Sequence, residues 1–152
     1  MKNILTLLSA LLISLGSTQA RTISWGSAVG DSMYLSSGPL MDDSMVFELG
    51  YFSGGFTPDL GNMDYWLAHW QVFDQATAGN GWNSTDPFLS LTPTLQADGT
   101  SSSSPPLPSY VFPEGGQAYI WAYRTDQSYQ VGLEWALITN DSSDGNSADD
   151  WL

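Results

Sequence analysis

The stretch FELGYFSGGFTP, residues 47–58, decides how the sequence is interpreted, because an apolar segment leads directly into two glycines. In the longer segment MVFELGYF, residues 45–52, the side chains alternate between two sets, as they do on the two faces of a β-strand. Gly54 and Gly55 then allow a turn with positive φ, which ends the strand. The stretch lacks the lysine and the spacing of a phosphate-binding loop, so it predicts a strand and a corner of a β fold.

Three other segments show the alternation of strands. They are TISWGSAV (22–29), QAYIWAYR (117–124) and VGLEWALITN (131–140). Both faces of the second segment are apolar, which is typical of a central strand. The last two segments are separated by a short polar turn, and we expect them to pair antiparallel. The sequence therefore predicts a mainly β domain, either an antiparallel sandwich or a jelly-roll-like fold.

One amphipathic helix is predicted between the strands. In NMDYWLAHWQVFDQA, residues 62–76, apolar side chains recur every three or four positions. Asn62 is a suitable N-cap and Gly79 a suitable stop. The apolar face of the predicted helix contains Met63, Trp66, Leu67, Trp70 and Phe73. We expect Trp66 and Trp70 to pack this helix against the sheet.

The first twenty residues have the three-part plan of a secretory signal peptide. MKNILTLLSALLISLGSTQA has a basic start at Lys2, an apolar run from Ile4 to Leu15 and small residues before Ala20. The apolar run is shorter than the roughly 20 residues that span a bilayer, so we expect cleavage near Ala20 and no membrane span in the mature chain. The expected organisation is a signal peptide (1–20), a single β-rich domain (21–140) and an acidic flexible tail (141–152).

The charge balance excludes several classes of partner. Sixteen acidic residues oppose three basic ones, which gives a formal net charge of -13. Nucleic acid and anionic lipid are not expected partners, because Lys and Arg are needed to neutralise phosphates. The absence of cysteine excludes disulfides, thiol catalysis and zinc–thiolate sites. We expect the seven Trp, seven Tyr and six Phe to supply the core energy instead.

No catalytic residue is predicted. His69 is the only histidine in the chain, and no Gly-x-Ser-x-Gly sequence accompanies it. Glu48 and Glu134 could form the carboxylate pair of a glycoside hydrolase, but both are expected on the solvent face of a strand. We therefore expect a non-enzymatic protein, with a small secreted carboxylate-dependent hydrolase as an alternative.

The acidic tail contains a candidate calcium loop. Oxygen-bearing side chains alternate there around an Asp-Gly turn, as they do in calcium sites. The candidate ligands are Asn140, Ser142, Asp144, Asn146 and Asp150. Trp151 stands where a closing carboxylate is needed, so we favour a solvated tail without a cofactor. A structural or adhesive protein with calcium-stiffened loops is a further alternative.

Aromatic side chains suggest a second kind of candidate site, because sugar rings stack on exposed Trp and Tyr. One group is a row on the strand 117–124, and the other is a polar loop around Trp82. The candidate ligand-binding residues are Trp82, Asn80, Asn83, Tyr119, Trp121 and Tyr123. The row can also be explained as the core of a cysteine-free sandwich, which we favour, whereas Trp82 is expected to be exposed.

The motifs taken together resemble a known group of proteins. FELGYFSGGFTP, NMDYWLAHWQVFD, QAYIWAYR and LEWALITND follow one another as in exported bacterial proteins of the PEP-CTERM-associated group. The resemblance extends from about Phe47 to Asp141. It implies a protein of the cell surface or the exopolysaccharide matrix, and it transfers no catalytic residue. The sequence ends at DDWL without the sorting tail of that group. We therefore expect export, on the basis of the signal peptide, whereas sorting to the cell surface does not follow from the resemblance. The leading hypothesis is therefore an exported surface or matrix protein that binds polysaccharide.

Overall fold

The computed structural model of the chain describes residues 21–27, 30, 32–95, 101–102, 116–125 and 134–139. These residues are mainly β, with a single seven-residue helical segment, so the predicted mainly β fold with one helix is confirmed. The strands are β1 (Arg21–Thr22), β2 (Trp25–Gly26), β3 (Met45–Phe52), β4 (Trp70–Ala78), β5 (Gly81–Asn83), β6 (Phe88–Leu91), β7 (Thr94–Leu95), β8 (Tyr119–Arg124) and β9 (Trp135–Thr139). A 3₁₀ turn (Met63–Tyr65) leads into helix α1 (Trp66–His69). None of the described helices is long and apolar enough to cross a membrane.

Seven strands form one curled, mixed sheet in the order β2-β6-β5-β4-β3-β8-β9. Neighbours pair antiparallel except β4 and β5, which are parallel, and β1 and β7 form a separate pair. β8 and β9 pair antiparallel along the whole of β9, as predicted. The curl brings the edge strand β2 over β4, where Trp25 Nε1 donates a hydrogen bond to Asp74 Oδ2 at 2.7 Å.

β3 is an interior strand of the sheet, because β4 pairs with one side of it and β8 with the other. Period two directs Met45, Phe47 and Leu49 to the first face of the sheet, and Glu48 and Phe52 to the second. Nearly every residue of β3 is buried. The expectation that Glu48 lies on a solvent face is therefore wrong, since its side chain is only 5% exposed.

An apolar core lies on each face of β3. The first-face core contains Trp25, Leu35, Met45, Phe47, Leu49, Phe73, Ala76, Trp82, Leu89, Ile120 and Ala122. The second-face core contains Phe52, Trp66, Trp70 and Trp121, with Phe56, Met63, Val72, Tyr119, Tyr123, Trp135 and Leu137 packed around it. Each buried aromatic ring removes a large apolar area from water, which is how a chain without disulfides stabilises this fold.

The predicted helix over residues 62–76 is wrong in its second half. α1 ends at His69, and Trp70 is already extended, with φ −69° and ψ 130°. β4 begins there and pairs with β3, and it sends Trp70 and Val72 to the second-face core and Phe73 to the first. A bulged strand that contributes apolar side chains to both cores can therefore show the same spacing of three and four residues as a helix.

Asn62 does not cap the helical segment, since its side chain makes no capping hydrogen bond. Its Oδ1 instead accepts from Trp66 Nε1 at 2.7 Å and from the Asp59 amide at 2.9 Å. Its Nδ2 donates to the Thr57 carbonyl at 2.9 Å. Asn62 thus braces the preceding turn and orients the Trp66 ring toward the second-face core.

The corner after β3 forms as predicted from its glycines. Gly54 and Gly55 have φ values of 71° and 70°, which glycine adopts without steric cost. Beyond them, the Phe56 ring stacks on the His69 ring with centroids 4.3 Å apart. The Ser53 amide donates to the His69 carbonyl at 2.8 Å. The corner therefore joins the end of β3 to the end of α1.

Candidate functional site

The second face of the sheet presents a row of apolar side chains on β8 and β9. Period two directs Tyr119, Trp121 and Tyr123 of β8 to this face. The register places Trp135 of β9 directly beside Tyr123, and it places Leu137 directly beside Trp121. We call these five side chains the aromatic face. Sequence reasoning identified the three β8 residues and missed Trp135, although the alternation within β9 would have placed it on the same side.

Burial divides the aromatic face into a floor and three outer rings. Trp121 forms the floor, since it is only 3% exposed. Tyr119, Tyr123 and Trp135 are partly exposed. Burial raises the pKa of the Tyr119 hydroxyl above its ordinary value, in keeping with a ring partly withdrawn from water. The row thus belongs to a core, as favoured from the sequence, while its outer rings retain accessible surface.

Edge-to-face contacts fix the orientation of the outer rings. Trp135 lies at 82° to Trp66, with centroids 5.3 Å apart. Tyr119 makes the same angle with Phe52, also at 5.3 Å. Such pairs contribute roughly 0.5–1.5 kcal/mol each beyond the burial of area. The rings are therefore held in place without any ligand.

The buried carboxylate of Glu48 lies beneath the aromatic face. Its Oε1 accepts from the Tyr123 hydroxyl at 3.0 Å and from Gln75 Nε2 at 2.9 Å. Its Oε2 accepts from Trp70 Nε1 at 2.8 Å. A carboxylate is an acceptor of hydrogen bonds, so three donors compensate for its removal from water. The same bonds orient the rings of Tyr123 and Trp70.

Glu134, the second carboxylate of the hydrolase alternative, lies elsewhere. Its two oxygens accept from the Ser36 amide at 2.6 Å and from the Ser36 hydroxyl at 2.7 Å. The Ser36 hydroxyl, followed by the Ser36 amide, lowers the pKa of Glu134 below its ordinary value. Ser36 follows Leu35 of the first-face core, whereas Glu48 lies on the second face. The structure therefore does not bring these two carboxylates together.

The loop predicted to expose Trp82 does not do so. Trp82 is 3% exposed, its ring lies 5.0 Å from the Phe47 ring, and its Nε1 donates to the Asp42 carbonyl at 2.9 Å. Asn83 Oδ1 accepts from the two backbone amides that follow Ser84, which closes a turn. Asn80 Nδ2 donates to the Gln75 carbonyl at 3.3 Å. The prediction of an exposed Trp82 is therefore wrong, because this residue completes the first-face core.

A second buried carboxylate, Asp74, lies on the first face. Its side chain is 1% exposed and accepts the hydrogen bond from Trp25 Nε1. Asp74 follows the register shift that separates the Leu49 and Gly50 pairings of β3 with β4. Sequence reasoning assigned it to a helix and missed this role. An acidic residue within an apolar strand was the one available signal.

A shallow surface depression of about 470 Å³ contains further carboxylates. Asp42 accepts from the Ser44 hydroxyl and amide, which lower the pKa of Asp42, and Asp43 accepts from the Ser84 hydroxyl. Arg124 Nη2 lies 4.0 Å from Asp42 Oδ2. These carboxylates therefore already have protein partners.

The candidate calcium ligands lie outside the described residues. They are Asn140, Ser142, Asp144, Asn146 and Asp150. Within the described ranges, no three His, Asp or Glu side chains are grouped so that they could hold a metal ion. The calcium hypothesis stays a prediction.

Comparison of the chain with protein-family models, curated proteins and solved structures finds no match. The resemblance to exported PEP-CTERM-associated proteins therefore stays a prediction from the sequence motifs.

Proposed function

We propose that this chain is a non-enzymatic, exported surface or matrix protein that binds polysaccharide on its aromatic face. The observation that carries the proposal is the pair of neighbouring, partly exposed rings of Tyr123 and Trp135. Sugar rings present apolar C–H faces that stack on such aromatic surfaces. A platform whose rings are already oriented loses little conformational entropy on binding, which favours affinity.

The length of the row suits an extended ligand. Tyr119 and Tyr123 lie four positions apart on an extended strand, which corresponds to roughly 13 Å at the usual rise per residue. More than one sugar ring can therefore contact the face at once. This supports a polysaccharide rather than a single sugar as the ligand.

Polar groups at one end of the row supply hydrogen-bonding capacity. Thr139 lies directly beside Tyr119 on β9. Gln117 Nε2 donates to the Thr139 hydroxyl at 2.7 Å, this hydroxyl donates to the Ala118 carbonyl at 3.0 Å, and both residues are exposed. Hydroxyl and amide groups match the hydrogen-bonding pattern of sugar hydroxyls.

The test is a titration of the purified protein with cellohexaose, N-acetylglucosamine hexamer, xylan and dextran, followed by tryptophan fluorescence and calorimetry. We expect saturable binding of at least one glycan, without product formation, and a loss of at least about tenfold in affinity for Trp135→Ala. Tyr34→Ala is a matched control, because Tyr34 is an aromatic residue that is 57% exposed and lies outside the aromatic face. No binding in the panel, or equal affinity for Trp135→Ala and the unchanged protein, would reject the proposal.

A further inference from the structure

We infer that the glycan preferred by the aromatic face carries free amino groups, an inference that rests on the proposed function. It follows from the charges around the face, which single out one class of sugar polymer among those that can stack on aromatic rings. Neutral polymers offer only C–H faces and hydroxyls, whereas protonated amino sugars add a cation at each ring.

The described part of the aromatic face carries no lysine or arginine. Arg124 pairs with Met45 in the register of β3 and β8, so it projects to the first face, where it approaches Asp42. A cationic ligand approaching the aromatic face therefore meets no like charge from Arg124.

The rings of the face are themselves suited to bind cations. Their π systems are negative above the ring plane and therefore attract an ammonium group placed over the face of Trp or Tyr. Trp is the strongest of these partners, and Trp135 is one of the outer, partly exposed rings. Edge-to-face packing against Trp66 fixes the direction in which its ring faces.

Glu48 adds a carboxylate directly behind one of these rings. Its Oε1 lies 3.0 Å from the Tyr123 hydroxyl oxygen, and its side chain is 5% exposed. Because the group is buried, its field is less screened by water and salt than that of a surface carboxylate. Glu48 thus acts through Tyr123 as a positioning and specificity-determining residue, without direct contact with the ligand.

The charge of the whole chain has the same sign. A formal net charge of -13 repels polyanionic glycans and attracts polycationic ones over distances of about a Debye length. Electrostatic complementarity of this kind acts mainly on specificity and on the rate of association. The chain is therefore expected to discriminate among glycans that share a backbone and differ in charge.

A matched pair of ligands tests the inference. The glucosamine hexamer and the N-acetylglucosamine hexamer share one backbone, and N-acetylation removes the positive charge. Calorimetry in weakly acidic buffer, which keeps amines protonated, should give about tenfold tighter binding of the glucosamine hexamer. Added salt should weaken that binding and leave binding of the N-acetylated hexamer nearly unchanged.

Two isosteric variants locate the origin of the preference. Glu48→Gln should bring the affinity ratio of the two hexamers toward one, whereas Glu134→Gln, which removes one negative charge on the other side of the sheet, should preserve it. Near-UV circular dichroism checks that each variant is folded. If Glu48→Gln fails to fold, Tyr123→Phe, which removes the hydroxyl through which Glu48 acts, takes its place: a folded Tyr123→Phe variant with an unchanged affinity ratio would reject the role of Glu48.

The outcomes separate this inference from the proposed function. Equal or tighter binding of the N-acetylated hexamer, lost in Trp135→Ala, would reject the amino preference and retain glycan binding by the aromatic face. A preference unaffected by Glu48→Gln in a folded variant would reject the role of Glu48. Failure of both hexamers to bind would reject the inference, and failure of the whole glycan panel would reject the proposed function with it.

Discussion

Two buried carboxylates orient indole rings on opposite faces of the sheet. Glu48 accepts from Trp70 at 2.8 Å on the second face, and Asp74 accepts from Trp25 at 2.7 Å on the first. A buried acceptor that loses its donor costs about 1–3 kcal/mol, so these bonds matter on the scale of the total stability of a domain. They also restrict the orientations that the large rings can adopt.

Removing one donor from Glu48 tests this residue-level role. Tyr123→Phe keeps the ring and deletes the hydroxyl that donates to Glu48. We expect the free energy of unfolding to fall by about 1–2 kcal/mol, measured by urea denaturation, because Oε1 keeps only Gln75 as a donor among the bonds described above. Tyr65→Phe is the control, since Tyr65 is 63% exposed and its loss of a hydroxyl should cost little. Equal stabilities of the two variants would contradict the role of the bond.

The position of Glu48 shows a limit of sequence reasoning at this scale. Period two correctly placed it on the face opposite Phe47, but the pattern does not reveal what covers that face. Here the opposite face is covered by rings that come from distant parts of the sequence, such as Trp121. Trp82 is the opposite case: its polar neighbours in the sequence predicted an exposed ring, but the ring packs on Phe47. Both depend on contacts between residues far apart in the chain, which no local pattern contains.

Among the elements, the strands with simple alternation were predictable and β4 was not. β3, β8 and β9 keep period two without interruption and form where expected. β4 follows α1 directly and contains a register shift opposite Leu49 and Gly50, which breaks the alternation. A side chain at Gly50 would place its Cβ 2.3 Å from the Gln71 carbonyl oxygen, so glycine permits the close approach of the two strands. A bulged strand next to a short helix thus reads as one longer helix.

The hydrogen bonds from Ser36 to Glu134, the residue before β9, should weaken in acid. Hydrogen bonds from Ser36 lower the pKa of Glu134 in the folded state. Their contribution to stability is complete above the unfolded value of about 4.3 and is lost as pH falls through the lower folded value. Glu134→Gln should therefore reduce the fall in melting temperature between neutral and acid pH by about 2 °C, a small effect because the hydrogen bonds to Ser36 lie at the surface. Asp42, whose pKa is lowered by Ser44, should still lose its own contribution to stability in acid in both proteins.

Thermal melts of both proteins from neutral pH to about pH 3 measure this effect. The variant and the unchanged protein should differ above the titration range and converge below it. An identical acid slope in both proteins would show that the Glu134–Ser36 contact contributes nothing to stability.

At the scale of the whole molecule, one curled sheet carries two aromatic cores and leaves part of the second at the surface. The first-face core is closed by Trp25 and Trp82, which are both nearly fully buried. The second-face core is covered by α1 and its preceding turn, while Tyr123 and Trp135 remain partly exposed beside it. This asymmetry between the two faces gives the described part of the chain a candidate binding surface.

Hydrogen–deuterium exchange, with and without a saturating amount of the panel glycan that binds the unchanged protein most tightly, is the direct test of glycan binding by the aromatic face. We expect slower exchange in β8 and β9, which carry Tyr123 and Trp135, and unchanged exchange in β5, which contains the buried Trp82, and in β6. Protection confined to β5 and β6, or no protection anywhere in the chain, would contradict glycan binding by the aromatic face.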